Sequence, residues 1–146
     1  MRHTPTGDDG SVRRAVLDPH VLISGLLSPG GTTGQILVHF RWGAFELITS
    51  AALIDELREV LRRERFRRYV TEDEVNEFVA LIVRESTRRE DPAPTDDRLG
   101  ADPDDEYLIR LTRAWADILV SGDPHLTRLR GRIRVETPRE FLESLG

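Results

Sequence analysis

The chain has 146 residues, 38% of them hydrophobic and 32% charged, with a formal net charge of −5. That is the length of one domain with a substantial core, and no run approaches the roughly 18 apolar residues of a membrane helix. Without cysteine there is no disulfide framework, zinc–thiolate site or cysteine nucleophile. All 21 basic residues are arginine, so a P-loop enzyme with its phosphate-binding lysine is excluded too.

Residues 1–12 are polar and lack the apolar stretch of a secretory signal. They read as a disordered tail before a single domain at residues 13–146, with a cytoplasmic location as the default. Arg14-Ala15-Val16-Leu17-Asp18 reads as a first strand. A helix from Val21 to Leu27 then meets the turn Ser28-Pro29-Gly30-Gly31. A second helix, about residues 33–42, has Ile36, Leu37 and Phe40 at helical spacing, and Gly43 stops it.

Phe45-Glu46-Leu47-Ile48-Thr49 is the next strand. Ser50 caps a helix over residues 51–63 with a stripe of Leu53, Leu57, Val60 and Leu61. Thr71 caps another over residues 72–85, and Glu74 completes a capping box. Residues 86–90 are polar, so any strand there lies at an edge. After the Pro/Asp-rich loop at residues 91–97, a helix covers about residues 104–116. A strand follows at Ile118-Leu119-Val120, then Ile133-Arg134-Val135, and Pro138 opens a closing helix over residues 139–145.

Strands alternating with helices imply a parallel sheet covered on both faces. Asp18 and Asp123 follow two of the strands, and ligands of such sheets sit beyond the strands' carboxyl ends. With Glu56 and Asp105 they would crowd negative charge there unless a hard cation such as Mg²⁺ or Mn²⁺ neutralised it. That pattern points to metal-dependent phosphate chemistry. Local roles compete with it: Asp18 as a helix cap, Glu56 as a solvated helix residue, Asp105 against a helix dipole, and Asp123 in an Asx-turn. Gly122 brings the turn's backbone close to the pocket, and Ser121 is a hydrogen-bond donor for a carboxylate. No serine has a histidine–acid partner at a recognisable spacing, so serine hydrolysis is unsupported. His39 reads as a surface or packing residue, and His125 follows Asp123-Pro124 near the pocket, where a loop position explains it equally well.

The order and spacing of several segments carry a resemblance over about residues 13–146. They are Val16-Leu17-Asp18 with Leu22-Ile23-Ser24-Gly25-Leu26-Leu27-Ser28-Pro29-Gly30-Gly31, then Glu56-Leu57-Arg58-Glu59-Val60-Leu61 and Asp102-Pro103-Asp104-Asp105. Ala116-Asp117-Ile118-Leu119-Val120-Ser121-Gly122-Asp123 and Thr137-Pro138-Arg139-Glu140-Phe141-Leu142 follow. Together they resemble the PIN-domain family, and within it the VapC-like branch of toxin components of toxin–antitoxin systems.

The resemblance implies a three-layer α/β fold, with a central, mostly parallel sheet of four or five strands flanked by helices. It implies a metal-dependent endoribonuclease whose acidic site, Asp18, Glu56, Asp105 and Asp123, holds Mg²⁺ or Mn²⁺. Glu56 would act directly or through water, and Asp104 is the alternate for Asp105. RNA, a cognate antitoxin and a second copy of the chain are the implied partners. The basic block supplies Arg62, Arg63, Arg65 and Arg67 as candidates for RNA backbone contacts; an acidic partner protein or a plain solvated helix face are its other readings.

One departure stands out. The family's first motif reads Asp-x-Asn, and here it is Asp18-Pro19-His20. The imidazole can replace the asparagine's hydrogen bond, ligate Mn²⁺, or bring positive charge that weakens the site, and Pro19 lacks a backbone N–H. A catalytically weakened domain that binds RNA or protein is therefore the alternative. A DNA or flap nuclease of the same architecture is disfavoured, because the chain lacks the extra helical elements of such enzymes.

Overall fold

A computed structural model describes residues 12–95 and 103–146, with the side chains of residues 103 and 104 excepted. The expected tail at residues 1–11 lies outside the described residues. Val12 already packs, partly buried, against the core.

Five short strands form one parallel sheet. They are β1 Arg14–Leu17, β2 Glu46–Thr49, β3 Thr87–Arg88, β4 Ile118–Val120 and β5 Val135–Glu136, in spatial order β3-β2-β1-β4-β5. The chain works outward from β1 to one edge, then returns to β1's other side. Ala15, Val16, Leu17, Ile118, Leu119 and Val120 are fully buried, as continuous apolar runs must be when helices cover both faces of a sheet. β3 has two residues, and its Thr87 and Arg88 suit a short edge strand.

Seven helices are described: α1 Pro19–Leu27, α2 Thr32–Arg41, α3 Ala51–Leu61, α4 Glu72–Glu85, α5 Pro103–Trp115, α6 Pro124–Thr127 and α7 Pro138–Ser144. No single one among the described residues is long and apolar enough to cross a membrane. α5 packs on β1 and β4, whereas α2 touches α1 and α7, and α3 lies against α1 and α4. Phe45 joins the α7 region to the sheet through an edge-to-face contact with Phe141, 4.9 Å between ring centres.

Local chemistry accounts for most boundaries. Ser50 accepts from Leu53 N–H at 3.2 Å to start α3, and the Thr71–Glu74 capping box starts α4. A second capping box, Thr137 with Glu140, starts α7 behind Pro138. Gly43 adopts φ +82°, a conformation that glycine reaches without a side-chain penalty, and α2 ends there.

Three expectations need correction. α1 begins at Pro19 rather than Val21, because Asp18 caps it and proline suits the first helical position. α3 stops at Leu61, and a 3₁₀ turn at Glu64–Phe66 follows it. The last strand is shifted to Val135–Glu136 by its pairing with Leu119 and Val120.

Candidate active site

The sheet order reverses between β1 and β4, where the connections leave in opposite directions. A crevice opens at such a switch point, outside the strands' carboxyl ends. The register pairs Leu17 with Val120, and Asp18 N–H donates to Val120 O at 3.0 Å. One residue further on, Asp18 and Ser121 are neighbours.

Ser121 is fully buried. Its hydroxyl donates to Asp18 Oδ2 at 2.9 Å and accepts from Asp123 N–H at 3.0 Å. Asp18 is only 5% exposed. Asp18 and Asp123 both line a cleft of about 420 Å³ with His20, Ser24, Thr33 and Gly122.

The two aspartates are built alike. Asp18-Pro19-His20 and Asp123-Pro124-His125 each place aspartate as N-cap, proline first in the helix and histidine second. Asp18 Oδ1 accepts from His20 N–H at 2.9 Å, with His20 Nδ1 at 3.2 Å. Asp123 Oδ1 accepts from His125 N–H at 2.9 Å, with His125 Nδ1 at 3.1 Å. His125 thus belongs to helix α6 and not to a loop; the repeated Asp-Pro-His triplet was the available signal. The capping and Asx-type roles coexist with cleft-facing carboxylates.

Electrostatics follow this geometry. The hydrogen bond to Asp18 raises the pKa of His20, and partial burial opposes it. The backbone N–H of His125 lowers the pKa of Asp123, with its imidazole adding to the effect. Among the described residues His20 is the one cationic partner of buried Asp18.

Glu56 projects from α3, one strand away. Its Oε1 accepts from the Tyr107 hydroxyl of α5 at 2.5 Å. Burial pushes the Tyr107 phenol far above its usual range, and the charges of Glu56, Asp18 and Asp105 push it further. Tyr107 therefore stands where three of the four expected carboxylates are felt together. Sequence reasoning missed it, since a tyrosine on an amphipathic helix looks like packing. His39 is a packing residue: its Nδ1 lies 2.8 Å from Gln35 O.

No group of three or more His, Asp or Glu side chains among the described residues forms a ready metal cage. Glu56 is drawn to Tyr107, and Asp18 is engaged by Ser121 and His20. The side chain of Asp104, the alternate for Asp105, lies outside the described residues. The donor set nonetheless fits a hard cation in kind: all four are carboxylates, and among the described residues no arginine pairs with the buried Asp18.

The basic block divides. Arg62 pairs with Glu72 at 3.3 Å and Arg63 with Glu59 at 3.7 Å. Arg65 lies over the Phe66 ring at 4.8 Å and is close enough to His20 to oppose its protonation. Arg67 is exposed.

A family model described as PIN domain matches residues 14–125. The uncharacterized protein MJ1680 of Methanocaldococcus jannaschii is 26% identical over 141 residues, spanning 89% of this chain and 90% of that protein. The crystal structure of PAE2754 from Pyrobaculum aerophilum has a TM-score of 0.66 at 15% identity, covering 92% of this chain and 89% of that one. VapBC2 from Rickettsia felis, crystallised bound to a DNA fragment from their promoter, gives 0.60 at 10% identity over 85% and 98%. At such identities the two structures establish a common fold.

Proposed function

The chain belongs to the PIN domain family, and from that premise we propose that it is a metal-dependent endoribonuclease and the toxin of a toxin–antitoxin pair. The observation that carries this reading is Asp18, a carboxylate buried at the sheet's switch point, locked by Ser121 and sharing a cleft with Asp123. The fold likeness to a VapBC2 chain supports the toxin assignment and an antitoxin as partner; a homodimer is the assembly we expect.

Asp18, Asp123 and Asp105, with Asp104 as alternate, would hold Mg²⁺ or Mn²⁺, and Glu56 would complete the set directly or through water. When bound, such an ion supplies Lewis acidity at a phosphoryl oxygen and makes water a stronger acid. The chain's own groups do the positioning. Ser121 fixes the Asp18 carboxylate plane and ties the backbone of Asp123 to it. Tyr107 holds one oxygen of Glu56 and leaves the other to orient the attacking water and take its proton. Arg65, whose charge acts on His20, would hold the phosphate backbone together with Arg67, and Arg62 and Arg63 would contribute less because Glu72 and Glu59 already engage them.

A second reading rests on one observation. The His20 imidazole bonds Asp18 Oδ1 and would compete with an ion for that carboxylate, which favours a weakened domain that binds RNA or protein without cutting. The deciding experiment gives purified protein single-stranded RNA with Mn²⁺ or Mg²⁺. Metal-dependent cleavage that disappears in Asp18→Asn, together with loss of Mn²⁺ binding by calorimetry, is expected. RNA binding without cleavage selects the second reading, and cleavage that persists in Asp18→Asn sinks the site assignment.

A further inference from the structure

The run Arg62-Arg63-Glu64-Arg65-Phe66-Arg67-Arg68-Tyr69 links α3 to α4 and leaves an aromatic ring in solvent: Tyr69 is 64% exposed. The segment is a series of hydrogen-bonded turns. Phe66 N–H donates to Arg63 O at 2.9 Å, Arg67 N–H to Glu64 O at 3.0 Å, and Tyr69 N–H to Phe66 O at 2.9 Å. Phe66 packs against the core, so the ring of Tyr69 is presented from an anchored platform.

Its two ends address different places on α1. Arg65, pinned on Phe66, has its charge close to His20 at the start of the helix. Tyr69 lines a groove of about 410 Å³ with Leu26 and Leu27, the helix's last residues. Nine residues at about 1.5 Å each make α1 roughly 13 Å long. The basic segment therefore meets the end of α1 at the groove.

We propose that this segment is a track for single-stranded RNA, with a base stacking on Tyr69 and the adjoining phosphates held by Arg65, Arg67 and Arg68. An aromatic face beside cationic side chains is the chemistry that binds single strands without reading sequence. Glu72 and Glu59 already engage Arg62 and Arg63, which leaves the arginines nearest Tyr69 for phosphate. Glu74 and Glu77 also line the groove and repel phosphate there, so the base and not the backbone meets its apolar wall. A duplex hides its base faces and gains nothing from Tyr69.

The track rests on the ribonuclease reading, and one experiment separates their failures. Fluorescence anisotropy measures binding of a labelled single-stranded RNA, and of its duplex, to the full chain in EDTA. Tyr69→Ala is expected to weaken single-strand binding about tenfold and leave duplex binding unchanged, while Tyr69→Phe retains full affinity because the stacking face persists. Arg67→Ala is expected to lower the salt dependence of binding. Single-strand binding equal in Tyr69→Ala and wild type overturns the track alone and leaves the groove to a protein segment. A wild-type chain that binds no RNA sinks the ribonuclease reading and the track together.

Discussion

Ser121 and Asp18, 103 residues apart in the chain, are joined by a 2.9 Å hydrogen bond at the point where the sheet order reverses. The same hydroxyl accepts from the backbone of Asp123, so one side chain sets the spacing of two carboxylates. Ser121→Ala removes a donor from a buried anion, which costs about 2 kcal/mol. Urea denaturation is expected to register that loss, and Mn²⁺ affinity is expected to fall with it. Unchanged stability would show that Asp18 finds another donor.

Tyr107→Phe deletes the hydroxyl that holds Glu56 and keeps the ring. We expect a several-fold drop in kcat, with RNA affinity little changed. In a Glu56→Ala background the same substitution is expected to have almost no further effect, because coupled residues are non-additive. Equal effects in both backgrounds would give Tyr107 a merely structural role.

His20→Asn restores the amide of the family's usual first motif. In the metal-free chain the Asp18 partner raises the imidazole's pKa. The stability from the pair is therefore full below the ordinary histidine value of about 6.5 and fades as pH rises through the raised folded value. His20→Asn is expected to flatten that part of the stability–pH curve. Metal affinity runs the other way, since an imidazolium on Asp18 opposes a second cation. Mn²⁺ affinity of the wild type is thus expected to fall as pH drops through the His20 transition. Asn at position 20 is expected to raise both affinity and cleavage near neutrality; a drop in both would make His20 itself a ligand.

Gly34→Ala tests the packing of α2 next to Thr33, which lines the cleft. Helix propensity alone favours alanine by about 1 kcal/mol. Here a Cβ would collide with the backbone of Pro29, which cannot move without shifting the turn before α2. Thermal denaturation is expected to show a net loss of about 1–3 kcal/mol.

Asp18, Asp123 and Glu56 were legible as candidates because each sits in a local pattern: a strand ending in Asp18, another reaching Asp123 through Ser121, and a capped helix bearing Glu56. The 3₁₀ turn at Glu64–Phe66 was not legible, since the arginine-rich run continues α3's composition without its apolar stripe. α6 was hidden for a different reason. Four residues are too short to show a periodicity, and only the repeat of Asp-Pro-His announces it.

The sequence by itself determined several element boundaries, such as the Thr71–Glu74 start of α4 and the Gly43 stop of α2, because caps and turns are decided by groups a few residues apart. Tertiary structure alone decided that β4 lies against β1, so that Ser121 meets Asp18, and that Tyr107 of α5 reaches Glu56 of α3. Those relationships depend on strand order and helix packing over separations of 50 residues or more, as in Tyr107–Glu56 and Ser121–Asp18. Local propensity carries no information at that range.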